Sequence, residues 1–185
     1  MLQIIIQGRG GQGAQTAGQL LAHAFFASGR QVQAFASYGG ARRGTPVTSY
    51  IRVDDRPVRV RCDIERADAI LCFDASLLVG QLIATAGPNT LIVVNSSKSA
   101  SEFEKALPGL RVIPIDALAI SRQKGLGRIV NSALLGALVR VIEAPSLEIL
   151  TQTLVENAPK QHDENIAACT EGYRWADEQL MEIAA

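Results

Sequence analysis

Leu2-Gln3-Ile4-Ile5-Ile6-Gln7-Gly8-Arg9-Gly10-Gly11-Gln12-Gly13 is a β-branched run that breaks into glycines. The run predicts a buried strand, and the glycines predict a tight turn after it. Ala14 to Ser28 follows, with Leu20, Leu21, Ala24 and Phe25 on one helical face and Gly29 as the stop. Gln31 to Phe35 reads as a second strand. Strand, glycine turn, helix and strand in about 35 residues form a βαβ unit, so a parallel sheet is expected.

Downstream the pattern changes and then resumes. Ala36 to Pro46 reads as a long loop carrying Gly39, Gly40, Arg42, Arg43 and Gly44. Val47 to Val53 and Pro57 to Cys62 read as an antiparallel hairpin, joined across Asp54-Asp55-Arg56, because Val58, Val60 and Cys62 alternate with Arg59 and Arg61. Ala69 to Phe73, Thr90 to Val94 and Arg111 to Ile115 read as buried strands. Ser76 to Ala86, Glu102 to Leu107, Ala117 to Gln123 and Asn131 to Ile142 read as helices between and after them. Asn131 or Ser132 is the expected N-cap of the last of these. The tail reads as two helices: Leu147 to Asn157 capped by Ser146, and a final one from Glu164 capped by Asp163. Ile166, Cys169, Tyr173, Ala176 and Leu180 repeat there at spacings of three and four, a stripe expected to pack on the chain's own domain, with a partner chain as the alternative. The expected fold is α/β: a Rossmann-like, mostly parallel sheet with flanking helices and an inserted antiparallel hairpin. The whole of 1–185 is expected to be one domain, ending in a helical segment over about 146–183.

Composition narrows the function. Apolar residues make up 48% and charged residues 19%, enough to bury a full core and unlike a disordered chain. Lys+Arg and Asp+Glu number 18 each, so binding of nucleic acid through bulk charge is not expected. Arginine supplies 14 of the 18 bases, and seven of those 14 fall within residues 42–66. This predicts a local basic region suited to bidentate anion contacts. Cys62, Cys72 and Cys169 have no CxxC spacing, and His23 and His162 have no cysteine neighbours. No zinc or iron–sulfur site follows from that set, and sparse cysteine fits a reducing cytoplasm. Apolar runs fall far short of the roughly 20 residues of a membrane span, and no leader is visible before the first strand.

Gly8-x-Gly10-x-x-Gly13 has the spacing of a dinucleotide fingerprint in its usual strand-to-helix context. The acid that would hold the ribose hydroxyls at the end of the second strand is missing, since that stretch reads Ala34-Phe35-Ala36-Ser37-Tyr38. Three readings remain: a nucleotide site, a glycine turn shaped for packing, or a helix end that receives a phosphate-bearing ligand or a protein. A P-loop is excluded, because Gly13 is followed by Ala14-Gln15-Thr16 rather than a GK[ST] ending. The Gly39–Gly44 loop should share the sheet edge with Gly8–Gly13, and its paired guanidiniums suggest an anion site or an interface. Asp74 and Asp116 end strands at that edge, each a helix cap or a ligand contact. His23 reads as structural and His162 as a cap or surface residue. No catalytic triad or dyad is visible.

The motifs together resemble one family. Gly8-Arg9-Gly10-Gly11-Gln12-Gly13, Thr16-Ala17, Leu20-Leu21-Ala22, Gln33-Ala34-Phe35, Ser37-Tyr38-Gly39, Arg42-Arg43-Gly44-x-Pro46-Val47, Ile129 to Ala137, and Asn165-Ile166 to Gly172-Tyr173 occur in order along nearly the whole chain. They resemble the gamma subunit of 2-oxoacid:ferredoxin oxidoreductases. The resemblance implies a complex that oxidatively decarboxylates a 2-oxoacid to an acyl-CoA. It implies thiamine diphosphate with Mg, [4Fe-4S] clusters, and coenzyme A as co-substrate. It implies alpha, beta and ferredoxin-like delta partner subunits, with ferredoxin or another acceptor beyond them. The gamma chain itself is then a non-catalytic subunit, with no cofactor bound by it alone, associated with assembly and the coenzyme A path. The cofactor-binding residues so implied are Gly8, Arg9, Gly10, Gly11, Gln12, Gly13, Arg42, Arg43, Gly44 and Asn131, with no catalytic or metal residue. The family often carries an acid where this chain has Gly40-Ala41, a departure that fits another substrate branch such as aromatic 2-oxoacids. A free-standing nucleotide-binding oxidoreductase and a purely structural subunit are the rival readings.

Overall fold

The isoleucine run forms strand β1 (Leu2–Arg9), and the glycines turn the chain into helix α1 (Ala14–Ala27). The computed structural model describes residues 1–39, 44–157 and 160–184. Strands β2 (Gln31–Tyr38), β3 (Pro46–Asp54), β4 (Ala69–Cys72), β5 (Leu91–Asn95) and β6 (Arg111–Ile115) complete one sheet. Its order is β2-β3-β1-β4-β5-β6. β1, β4, β5 and β6 run parallel, whereas β3 is antiparallel to both β1 and β2. The fold is α/β and mostly parallel, as expected.

The antiparallel hairpin lies elsewhere than predicted. It is β2–β3, with Phe35 opposite Tyr50, and β3 is inserted between β1 and β2. The βαβ unit is therefore split: β1 and β2 point the same way but are not neighbours. Pro57 to Cys62 forms no strand. The buried Arg52 guanidinium explains this. It donates to the backbone oxygens of Cys62 at 2.8 Å and Asp63 at 3.1 Å, so carbonyls a ladder would use are taken by a side chain. Pro57 also lacks an N–H. Arg52 does not belong to an exposed basic region with the other arginines of 42–66: it is 3% exposed and faces this segment, away from α1.

Helices α4 (Ala117–Gln123), α5 (Asn131–Ile142), α6 (Leu147–Asn157) and α7 (His162–Ala184) pack with α1 on one face of the sheet. Helices α2 (Gly80–Ala84) and α3 (Ala100–Ala106) cover the other. Alternation along β1 assigns the faces: Ile4 and Ile6 join Leu21, Leu134 and Leu138, while Ile5 joins Ile70, Leu82 and Phe103. β4 is buried along its whole length, as a central parallel strand with both faces covered should be. The predicted helix over 76–86 splits into a 3-10 turn, Ala75–Leu77, and the short α2.

Local capping follows the sequence at some ends. Ser99 and Glu102 form a capping box on α3, and Asp116 accepts from the Ala119 amide at α4. The Ser146 side chain accepts from the Ile149 amide at α6. Two expected caps are corrected. Val130, not Asn131 or Ser132, holds the cap position of α5 and makes no side-chain cap bond. Ser132 instead donates to the buried Asn165, whose amide donates to the Lys160 and Gln161 oxygens and so anchors the start of α7. α7 already contains Asp163 in its first turn. Of its stripe, Cys169 and Ala176 are fully buried and Tyr173 and Leu180 pack against the same core, while Ile166 is only half-buried and Ala168 takes a core place beside it. Among the described residues, no helix is long and apolar enough to cross a membrane.

Burial sorts the thiols. Cys72 and Cys169 are buried, and burial pushes both up to about 12, while Cys62 is exposed. A soluble thiol reagent should therefore label Cys62 alone in the native chain and the other two only after unfolding. Rapid native labelling of a Cys62→Ser variant would contradict this placement.

Candidate functional site

The glycine turn stands at the carboxyl ends of the parallel strands, where β1 feeds α1 on one face and β4 leads to the 3-10 turn and α2 on the other. Ligands of open α/β sheets bind at such a reversal. Gly11 and Gly13 both have φ of +94°, a left-handed backbone that glycine alone adopts without strain. Gly13 is the N-cap of α1, and no side chain caps that helix. Its first N–H groups are thus left to whatever occupies the edge. Gly8 is close-packed instead: a Cβ there would stand 3.0 Å from those of Ala14 and Phe73. Gln12 turns inward, its Oε1 accepting from the Arg9 amide at 2.7 Å.

Two cavities flank the turn. One, of about 680 Å³, is lined by Arg9, Gly10, Gly11, Gly13, Ala14, Gln15, Thr16, Tyr38, Thr45 and Val47. The other, of about 470 Å³, is lined by Gly11, Gln12, Phe73, Asn95, Leu118, Arg122, Arg128 and Val130. Arg122 and Arg128 have no ion-pair partner among the described residues. Asn131 lies beneath the turn, 8% exposed, with its amide against Gly13.

The described ends of the arginine loop reach the same edge. The Gly10 amide donates to the Thr45 oxygen at 2.9 Å, and the Gly39 amide to the Pro46 oxygen at 3.1 Å. Gly44 therefore sits beside the glycine turn, as expected. Arg42 and Arg43 lie outside the described residues.

Arg9 is placed differently from its neighbours. Its Nε donates to Asp74 Oδ2 at 2.8 Å, and its terminal nitrogens donate to Ser76 Oγ at 2.8 Å and the Gly44 oxygen at 3.4 Å. Asp74 also accepts from the Ser76 amide and hydroxyl, capping the 3-10 turn. Partial burial alone raises the Asp74 carboxyl, but the bonds from Ser76 and Arg9 outweigh it and hold the group below its usual range. The carboxylate is ionised at neutral pH. Register brings this pair together. Gln7 pairs with Cys72, and Arg9 and Asp74 each lie two residues further on. Asn95, Arg122, Arg128, Tyr38 and Thr45 also join the edge without having been singled out as site residues.

His23 and His162 stand apart from the edge. The His23 Nδ1 pairs with Asn157 Oδ1 at 2.9 Å, and His162 opens α7 in an exposed position. Among the described residues, no three His, Cys, Asp or Glu side chains come together as a metal or cluster site. The described residues therefore do not fit an iron–sulfur cluster. The arrangement can bind and orient an anion or a protein surface; it shows no nucleophile–base pair.

The Pyruvate ferredoxin/flavodoxin oxidoreductase family model matches residues 3–175. The pyruvate/ketoisovalerate oxidoreductases common subunit gamma of Thermococcus kodakarensis is 38% identical over 161 residues, covering 84% of this chain and 86% of the relative. The crystal structure of pyruvate oxidoreductase subunit PORC from Thermotoga maritima superposes with a TM-score of 0.81 at 32% identity, covering 94% and 95% of the two chains. At the level of fold alone, 2-oxoglutarate:ferredoxin oxidoreductase from Magnetococcus marinus gives a TM-score of 0.77 at 21% identity, covering 96% of this chain and 31% of that one. With the family model matching residues 3–175 and a relative 38% identical over 84% of the chain, the chain belongs to the pyruvate ferredoxin/flavodoxin oxidoreductase family as a gamma subunit of a 2-oxoacid:ferredoxin oxidoreductase.

Proposed function

We propose that this gamma subunit is non-catalytic and that its glycine-turn edge forms part of the coenzyme A path, against partner subunits of alpha, beta and ferredoxin-like delta type. The observation that carries the reading is the uncapped N-terminus of α1, opening through left-handed glycines onto a cavity of about 680 Å³. Coenzyme A is a phosphate-bearing co-substrate, and such a helix end favours phosphate oxygens. The Magnetococcus fold neighbour was solved with coenzyme A and succinyl-CoA bound. In this reading thiamine diphosphate with Mg supplies the decarboxylation chemistry, and [4Fe-4S] clusters carry the electrons, both in the partner chains. This chain's residues bind and orient: Gly8 to Gly13 shape the turn, Gln12 braces it, Asn131 supports it from below, and Gly44 stands beside it, while Arg42 and Arg43 are assigned to the same ligand by the resemblance. Free thiols at Cys62, Cys72 and Cys169 fit work in the cytoplasm.

A free-standing nucleotide-binding oxidoreductase fits the geometry less well. In an ordinary dinucleotide fold the strand after the first helix lies beside the first strand, and its terminal acid reaches the ribose. Here β3 separates β2 from β1, which puts the end of β2 about 9–10 Å away, two strand spacings instead of one. β2 also ends at Tyr38 with no acid.

The test is kinetic. Arg42→Ala combined with Arg43→Ala, in the assembled complex, should raise the coenzyme A KM by about tenfold or more, from the loss of two charge-assisted contacts. Loosened assembly would point to the partner-contact role of the same loop. Unchanged kinetics with an intact complex would remove the proposal. Tight binding of NAD or FAD by the isolated chain would install the alternative.

A further inference from the structure

Arg9 belongs to the fingerprint by position, yet its guanidinium points along the sheet edge into the gap between β1 and β4. Three acceptors on two separate segments hold it: Asp74 Oδ2 and Ser76 Oγ on the turn after β4, and the Gly44 oxygen before β3. β1 and β4 run parallel there while their connections leave on opposite faces of the sheet, a position that in nucleotide-binding folds of this architecture is open to a pyrophosphate. An incoming anion would have to compete with a carboxylate 2.8 Å from the same nitrogen. The third bond is the informative one. It runs to Gly44, whose neighbour Thr45 accepts from the Gly10 amide, so one side chain ties the glycine turn, the β4 turn and the loop end together.

We propose that Arg9 is a positioning residue for the coenzyme A reaction and not an anion ligand: clamped by Asp74 and Ser76, it holds Gly44 and Thr45 against the glycine turn and so sets the mouth of the larger cavity. This rests on the reading that the cavity receives coenzyme A. Asp74 and Ser76 act with it, although neither lines that cavity. Lysine cannot replace arginine here, because one ammonium cannot reach three acceptors arranged around a planar fork.

The experiment uses the assembled complex with Arg9→Gln, Arg9→Lys, Asp74→Asn and the Arg9→Gln/Asp74→Asn double variant. Asparagine at 74 can still accept from the Ser76 amide, which protects the local fold. Coenzyme A KM and kcat are measured, together with hydrogen exchange of the Gly10 amide without coenzyme A. Each single variant should raise KM roughly five- to tenfold with kcat held within about twofold, and the double variant should be no worse than either. Gly10 exchange should quicken in all of them. If Arg9→Gln raises KM while Asp74→Asn leaves KM and Gly10 exchange unchanged, Arg9 is a direct ligand and the proposal fails. It also fails if Gly10 exchange ignores Arg9→Gln. If exchange quickens in every variant but KM stays constant, the clamp stands and the coenzyme A reading falls.

Discussion

Gly136→Ala and Gly172→Ala should each lower the urea midpoint of the isolated chain sharply, by the equivalent of about 3 kcal/mol or more, the top of the usual overpacking range. The cause is the crossing of α5 and α7. A Cβ on Gly136 would stand 1.9 Å from the Cys169 oxygen, and one on Gly172 would stand 2.0 Å from the Ala133 oxygen. Both obstacles are backbone, so no side-chain rotation relieves them, and the helices must move apart. That movement would open the core around Leu134, Leu138 and Cys169, all fully buried. The sign makes the experiment decisive. Helix propensity alone favours alanine over glycine by roughly 1 kcal/mol, so a surface crossing would gain stability. The two sites share one interface, and the double variant should fall short of the sum. Gly87→Ala, with open space around an ordinary backbone, should stay within about 0.5 kcal/mol of the parent. Equal midpoints for Gly87, Gly136 and Gly172 variants would mean that the helices do not touch through backbone.

Gly13→Ala should be the most damaging single change in the candidate site. Left-handed backbone costs an alanine about 1–2 kcal/mol, and Gly13 has φ of +94°. The added Cβ would also lie 2.5 Å from Asn131 Oδ1 and 2.7 Å from Nδ2, against a side chain with little room to withdraw. Crowding of that kind adds a further ~1–3 kcal/mol. Because the strain falls where α1 begins, coenzyme A affinity of the complex should fall along with stability. Asn131→Ala in the Gly13→Ala background separates the two causes. It should recover the crowding part in urea unfolding and leave the backbone part. A double variant no more stable than Gly13→Ala would show that Asn131 does not crowd the turn.

Much of this molecule is legible in local sequence. Helices α4, α5 and α6 and strand β6 begin and end where periodicity, Asp116, Ser146 and the glycines place them, because caps and breakers act within a few residues. The glycine turn is legible for the same reason: a strand that must become a helix within four residues needs left-handed positions. The misreadings are non-local. Pro57 to Cys62 alternates like a strand, yet Arg52 of β3 takes the Cys62 carbonyl at its end and that of Asp63 just beyond. Asn131 has the chemistry of a cap and is used instead as packing against Gly13. The arginine excess over 42–66 reads as one patch, while pairing buries Arg52 on the opposite face from α1.

By itself the sequence determined the order of elements apart from Pro57 to Cys62 and the split helix over 76–86, the glycine-lined start of α1, the scarcity of metal ligands and the resemblance to gamma subunits, since each depends on residue type and spacing along the chain. Only the tertiary structure decided that β3 enters between β1 and β2, that Arg9 is spent on Asp74, Ser76 and Gly44, and that Gly136 and Gly172 bring two helices to backbone contact. Those outcomes turn on which distant segments meet and in what register. Hydrogen-bond pairing and burial settle that only when the sheet and its helices assemble.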